Sequence, residues 1–193
     1  MLRGRRNPRA ITDRLDKEGR RLLTIRKAEM RDVPALFELI NHYAAQRIVL
    51  PRALVELYEN VWEFTVAERD GVIIGCGALK FYSAELAELR SLCIAPGVTN
   101  RGLGRMLSEH LLDEAERHGL RTIFALTLAP EFFAKLGFRE VPRERFPTKV
   151  WRDCLACPKY FHCDEKALAL DLDARRASKD EAALEPAEAT AQV

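Results

Sequence analysis

No apolar run in this 193-residue sequence approaches the roughly 20 residues that a membrane-spanning helix requires, so no helical span is expected. No secretory apolar core follows the basic opening Met1–Arg9. Asp13, Asp16 and Glu18 interrupt the Arg-rich character that a mitochondrial presequence would keep. A cytoplasmic location is the expectation. A strong charge of one sign is also missing: 31 Lys and Arg meet 29 Asp and Glu, for a net charge of +2. Nucleic acid and anionic membranes, which call for a clustered basic excess, are therefore not expected as partners. The five cysteines are an odd number in a chain with no export signal, which favours free thiols over a disulfide framework. No internal repeat is present, so no solenoid or array is expected.

What is there describes one soluble domain. A hydrophobic share of 48% fills one sizeable core, and 31% charged residues make an ordinary surface. Residues 1–21 are Arg-rich without apolar periodicity and read as a flexible basic arm. From residue 173 to 193 the composition turns to Ala, Glu, Lys and Arg, a disordered or loosely helical tail. Between them the spacing predicts strands at 22–27, 62–68, 72–81, 86–94, 122–127, 138–141 and 167–172. Helices are predicted near 33–44, capped by Asp32, and at 51–60, 102–118 and 130–136. Arg69-Asp70-Gly71 is a hairpin turn signal. Trp62, Phe64, Phe81 and Phe124 read as core aromatics, and His110 and His118 as surface residues. The order is that of an α/β (α+β) domain, a mixed sheet flanked by helices.

The segment Leu92 to Gly104 carries most of the functional information. It is a strand, a tight loop and a helix that opens at Gly102-Leu103-Gly104. Such a loop leaves backbone N–H groups unpaired at a helix N-terminus, where the helix dipole also favours an anion. The glycines let a phosphate approach the backbone closely. An ordinary β-to-α turn has the same local pattern. A Walker A loop is excluded because Leu103 and Gly104 stand where Lys and Ser or Thr are required. The dinucleotide fingerprint fails at Leu107, where its last glycine should be.

With those two excluded, the sequence over residues 22–172 resembles the GNAT N-acetyltransferase superfamily. That family's pyrophosphate loop has the form Gln/Arg-x-x-Gly-x-Gly/Ala, and Thr99-Asn100-Arg101-Gly102-Leu103-Gly104 is similar to it, with Thr99 at the Gln/Arg position. Pro130-Glu131-Phe132-Phe133-Ala134-Lys135-Leu136-Gly137-Phe138 resembles its later Phe-Tyr-x-Lys-x-Gly-Phe signature. Leu50-Pro51-Arg52, Ala87-Glu88-Leu89-Arg90-Ser91-Leu92, Phe124-Ala125-Leu126-Thr127 and Lys149-Val150-Trp151-Arg152-Asp153-Cys154 resemble the short bacterial N-acetylglutamate synthases.

The resemblance implies a mostly antiparallel twisted sheet flanked by helices and transfer of acetyl from acetyl-CoA to the α-amino group of glutamate, the first step of arginine biosynthesis. Acetyl-CoA would lie against Leu92, Cys93, Ile94, Asn100, Arg101, Gly102, Leu103 and Gly104. Glu88 would be the general base, although it could instead pair with Arg90 two residues along the strand. Arg52, assisted by Lys149, would hold the acceptor's side-chain carboxylate, with backbone N–H groups near Ser91 on the α-carboxylate and Thr127 facing the cleft. The thiolate's proton donor is left between no side chain and Tyr82, because Phe133 stands where many family members have Tyr. The partners expected are the amino acid and acetyl-CoA, in a monomer or homodimer. Another amine acceptor, such as glutamine, or a non-catalytic acetyl-CoA-binding module stays open as an alternative.

Cys154, Cys157, His162 and Cys163 form half of a zinc-knuckle pattern, but adjacent His162 and Cys163 are awkward as ligands of one ion. No metal is assigned, and a thiol-rich structural loop is the expectation.

Overall fold

The structure is a computed structural model that describes residues 23–98, 102–146, 154–155, 157 and 159–184. Its seven strands are β1 (Thr24–Lys27), β2 (Phe64–Arg69), β3 (Val72–Phe81), β4 (Leu86–Ile94), β5 (Thr122–Thr127), β6 (Arg139–Glu140) and β7 (Lys166–Asp171). They form one sheet in the order β1-β2-β3-β4-β5-β7-β6. Every pairing is antiparallel except β4 with β5, the mixed sheet that the sequence predicts. A parallel pair needs a crossover, and the helix α3 (Leu103–Arg117) supplies it.

The hairpin between β2 and β3 turns at Asp70 (φ 53°) and Gly71 (φ 78°). Two successive positive φ values belong to a type I′ turn, which matches the twist of the flanking strands.

Helices cover both faces. On one side α1 (Val33–Ala45) and α2 (Leu54–Glu59) bury Leu36, Ile40 and Leu57 against Phe64, Val66 and Cys76 of the sheet. On the other, Leu111 and Leu112 of α3 meet Leu79, Leu89 and Ile123, Leu107 meets Ile25, Ala67 and Ile74, and α4 (Pro130–Ala134) adds Phe133. The close seating of α3 depends on Gly77 of β3. A Cβ built there would come within 2.8 Å of Leu111 Cδ1 and 3.3 Å of Leu92 Cδ1.

Several local expectations need correction. Asp32 precedes α1 but makes no side-chain cap on it. Its carboxylate instead accepts Glu29 N at 2.8 Å and two bonds from Arg26, at 2.6 and 2.9 Å, which join the helix start to β1. Burial pushes the Asp32 carboxyl up, but the Arg26 guanidinium and the Glu29 amide outweigh it and hold it below its ordinary value. Phe64 and Phe124 are core residues, whereas Trp62 is 63% exposed and Phe81 is also exposed. Trp62 sits in a short 3-10 turn (Val61–Glu63) before β2 and not within the strand.

The region expected to be tail from residue 173 begins as helix α5 (Leu172–Leu184). Leu172 is buried in the core, and Arg175 and Lys179 hold the helix to Glu109, Asp113 and Glu116 of α3. Among the described residues no helix is long and apolar enough to cross a membrane.

Candidate active site

β4 and β5 run side by side only at first. Their pairing covers Leu86↔Thr122, Ala87↔Ile123 and Glu88↔Phe124. Beyond Glu88, β4 carries a bulge: its register with β3 shifts between Cys76 and Ala78, and Ser91 adopts φ 51°. An extra residue in one strand bends it and adds local twist. β5 meanwhile continues with β7, through Thr127↔Lys166. The two strands part, and a cavity of about 300 Å³ opens at the fork. Clefts of this kind are where small-molecule sites concentrate.

Arg52, Glu88, Ser91, Leu92, Ile94, Gly104 and Thr127 all line this cavity, so residues far apart in sequence converge as a site requires. Cys93 does not: the bulge turns it to the opposite layer, where it packs beside Cys76 under α1. Hydrogen bonding to Cys93 and full burial hold the Cys76 thiol well above its usual range, which suits packing and not a nucleophile at Cys76. Leu103 is buried with Ile25, Ala67 and Ile74 and does not line the cavity. Gly102 takes φ 78° as the residue before α3 and, being glycine, offers that helix no side-chain cap. Asn100, Arg101 and Lys149 lie outside the described residues.

Glu88 is 3% exposed, and Tyr82 Oη donates to its Oε2 at 3.1 Å. A buried carboxylate at the floor of a cleft is costly unless bonded, and this one accepts a phenol hydrogen. Arg90, its neighbour on the same strand face, donates from Nη2 to Glu63 Oε2 at 3.1 Å. Glu63 in turn accepts from Lys80 Nζ at 2.5 Å.

Arg52 is fixed through its backbone: its N–H donates to Asn41 Oδ1 at 3.2 Å, and Asn41 Nδ2 donates to its carbonyl at 3.0 Å. Its side chain is 11% exposed, with Nη1 bonded to Glu56 Oε1 at 2.6 Å and a buried Nε that has no hydrogen-bond partner among the described residues. Thr127 Oγ1 accepts Ala129 N at 2.9 Å and so shapes the turn after β5. Tyr43 reaches from α1 to donate to Ile94 O at 2.5 Å. Burial, with a smaller push from Cys93, raises the Tyr43 hydroxyl above its usual value, so it stays a donor.

The sequence reading missed part of this site. Asn41, Glu56 and Glu63 position the arginines, and no local signal marks them apart from the charge of Glu63 just ahead of an apolar strand. Arg143, in a 3-10 turn (Arg143–Arg145), also lines the cavity. So do Cys154, Cys157 and Cys163, which makes the thiol-rich loop a wall of the cleft. Among the described residues no group of three His, Cys, Asp or Glu is arranged to hold a metal ion.

Comparison with known proteins agrees with this geometry. The acetyltransferase (GNAT) family profile matches residues 29–138. An uncharacterized N-acetyltransferase of Chlorobaculum tepidum is 38% identical over 148 residues, which cover 77% of this chain and 96% of the relative. An amino-acid acetyltransferase of Mycobacterium tuberculosis is 41% identical over 120 residues, covering 61% of this chain and 68% of the relative. Among solved structures, N-acetylglutamate synthase from Neisseria gonorrhoeae, complexed with coenzyme A and N-acetyl-glutamate, superposes with a TM-score of 0.71 at 30% identity. That match covers 78% of this chain but only 35% of the longer synthase. With a profile match over more than half of its length and a relative matched nearly end to end, this chain belongs to the acetyltransferase (GNAT) family.

Proposed function

We propose that the protein transfers the acetyl group of acetyl-CoA to the α-amino group of an amino acid, and that the acceptor is L-glutamate. The observation that carries this reading is Glu88, a buried carboxylate at the point where β4 and β5 part, bonded by Tyr82 and facing a cavity that Arg52 also lines. An amino acid's ammonium cannot attack a thioester until it loses a proton, so a placed base is the first requirement. Names of relatives support the class: amino-acid acetyltransferases recur among them, and the Neisseria synthase is bound to coenzyme A and N-acetyl-glutamate.

Glu88 takes a proton from the acceptor's ammonium and passes it to solvent. The nitrogen lone pair attacks the thioester carbon, and the C–S bond breaks as the amide forms. The adduct's second N–H proton matches the one that the departing thiolate needs. Tyr82 donates to Glu88 but is not among the residues that line the cavity, so it steadies the base, and the thiolate takes its proton from the adduct by way of Glu88 or a water.

Acetyl-CoA is held by backbone. Past Glu88 the β5-facing edge of β4 is not paired with β5, which suits an extended pantetheine arm carrying amides. The N-terminus of α3, with Gly102 and Gly104, suits the pyrophosphate, assisted by Asn100 and Arg101 of the loop. Arg52 holds the acceptor's side-chain carboxylate with Lys149, while Ser91 and Thr127 line the acceptor end. Glutamine is the second reading, because Glu56 already meets part of the Arg52 charge at 2.6 Å.

The test is release of free coenzyme A thiol from acetyl-CoA, with no acceptor and with glutamate, glutamine, spermidine and a peptide N-terminus. Glutamate should give the highest kcat/KM. Preference for spermidine or peptide, or thiol release without any acceptor, would overturn the reading.

A further inference from the structure

Among the described residues three arginines line the cavity, Arg52, Arg90 and Arg143. Arg52 is paired with Glu56, and Arg90 with Glu63, so each of these charges already meets a carboxylate of the protein. Arg143 differs. Its Nη2 donates at 3.0 Å to the backbone carbonyl of Glu165, a neutral acceptor, and among the described residues it forms no ion pair. A half-buried guanidinium held in this way keeps its whole charge, and most of its five donors, for what enters the cavity.

The turn that carries Arg143 is firmly seated. Phe146 N donates to Arg143 O at 2.9 Å, and the Phe146 ring stacks on Phe124 with centroids 4.0 Å apart. Phe124 is the β5 partner of Glu88. Arg143 is therefore tied to the strand pair that bears the base, where the acceptor's amine must sit. In an α-amino acid the group next to that amine is the α-carboxylate, one carbon away.

We propose that Arg143 is a specificity-determining residue that binds the acceptor's α-carboxylate, so that the site takes free α-amino acids and not simple amines or peptide N-termini. This rests on the reading of the site as an amino-acid N-acetyltransferase. Arg52 and Arg143 enter from separate segments, one between α1 and α2, the other ahead of β7. A dicarboxylic amino acid satisfies both forks at once, each through the planar geometry that suits a carboxylate.

The experiment compares kcat/KM for three acceptors, glutamate, glutamine and the α-amide of glutamic acid, in wild type, Arg143→Ala, Arg143→Lys and Arg52→Ala. On glutamate, Arg143→Ala should lose roughly 10- to 150-fold, through acceptor KM, with KM for acetyl-CoA unchanged. Arg143→Lys should recover part of that loss. The Arg143→Ala loss should persist on glutamine and shrink to a few-fold on the α-amide, which has no α-carboxylate to lose. Arg52→Ala should show the opposite pattern. A merely structural role would depress all three acceptors alike, and that outcome, or no loss on glutamate, overturns the proposal. A wild-type enzyme that turns over glutamate while Arg143→Ala matches it defeats this inference alone. A wild-type enzyme that acetylates none of the three defeats the reading beneath it.

Discussion

Replacing Glu88 by Gln keeps the size of the side chain and its capacity to accept from Tyr82, and removes only the basic oxygen. The position is nearly closed to solvent, and the Tyr82 hydroxyl sits 3.1 Å from Oε2, so the variant should fold with wild-type stability. Proton transfer by a placed side chain is worth about 10²–10⁴-fold, and kcat at pH 7 should fall by at least about 10²-fold. KM for acetyl-CoA should hold, since the thioester contacts are untouched. The pH profile separates a lost base from a lost shape. Without a base, only acceptor molecules that are already deprotonated react, and well below the amine pKa their fraction rises about tenfold per pH unit. The variant's kcat/KM should therefore climb with about unit slope where the wild type has levelled off. The assay is thiol release at saturating acetyl-CoA between pH 6 and about 9.5, a span over which the amine titrates. A Glu88→Gln enzyme with wild-type kcat and an unchanged profile would remove Glu88 from the chemistry.

Gly104→Val should abolish acetyl-CoA binding in calorimetry while circular dichroism stays native. A Cβ at Gly104 makes only ordinary contacts, 3.5 Å to the Phe132 ring, so the added methyls intrude on the cavity and not on the core. Equal binding by the two proteins would refute the loop as the pyrophosphate site. Asp32→Asn should destabilise the fold at neutral pH by about 1–3 kcal/mol, because Arg26 loses a charge-assisted partner. The folded Asp32 carboxyl lies below its ordinary 3.8, so its contribution is complete above that pH and disappears as pH falls through the lower, folded value. Denaturation curves of the two proteins should therefore converge in acid, and a gap that stays constant down to acid unfolding would contradict the assignment. Chelator treatment should leave the melting temperature unchanged, since among the described residues the cavity-wall thiols are not grouped for a metal; about one zinc per purified chain would show otherwise.

Local chemistry made much of this molecule legible. The Asp70-Gly71 turn, the stripe Leu103, Leu107 and Leu111, and the alternation around Glu88 each state their structure within a few residues. What stayed hidden depends on partners far along the chain. Trp62 gives an aromatic, strand-like signal, yet it falls in the turn before β2 and stays exposed. α5 has no strong apolar stripe; its support is Arg175, paired with Glu109 of α3 at 2.6 Å across 66 positions of sequence. A short helix owes most of its stability to such tertiary contacts, and local pattern cannot display them. Glu63 and Arg90 are individually ordinary charges, and only the sheet brings them within 3.1 Å.

The bulge at Ser91 also acts as a change of parity. Ahead of it, Ala87 and Leu89 face α3 while Glu88 and Arg90 face the cleft. Behind it, Leu92 and Ile94 pack on the α3 side, and Cys93 joins the α1 layer. One strand thus serves two reading frames, joined by a single residue at φ 51°. Forcing Ser91 into the extended conformation, with no residue lost, would restore uniform alternation and, in doing so, exchange the faces of all three residues beyond it. The Cys93 thiol would point at α3, and the bulky Leu92 and Ile94 side chains would press into the layer under α1. Substitution at this position acts through the same conformation: Gly or Asn tolerates the left-handed backbone and keeps the bulge, while Val or Ile resists it. The order of faces along the end of β4 therefore hangs on the backbone conformation of one residue, and that conformation is what a substitution here must preserve.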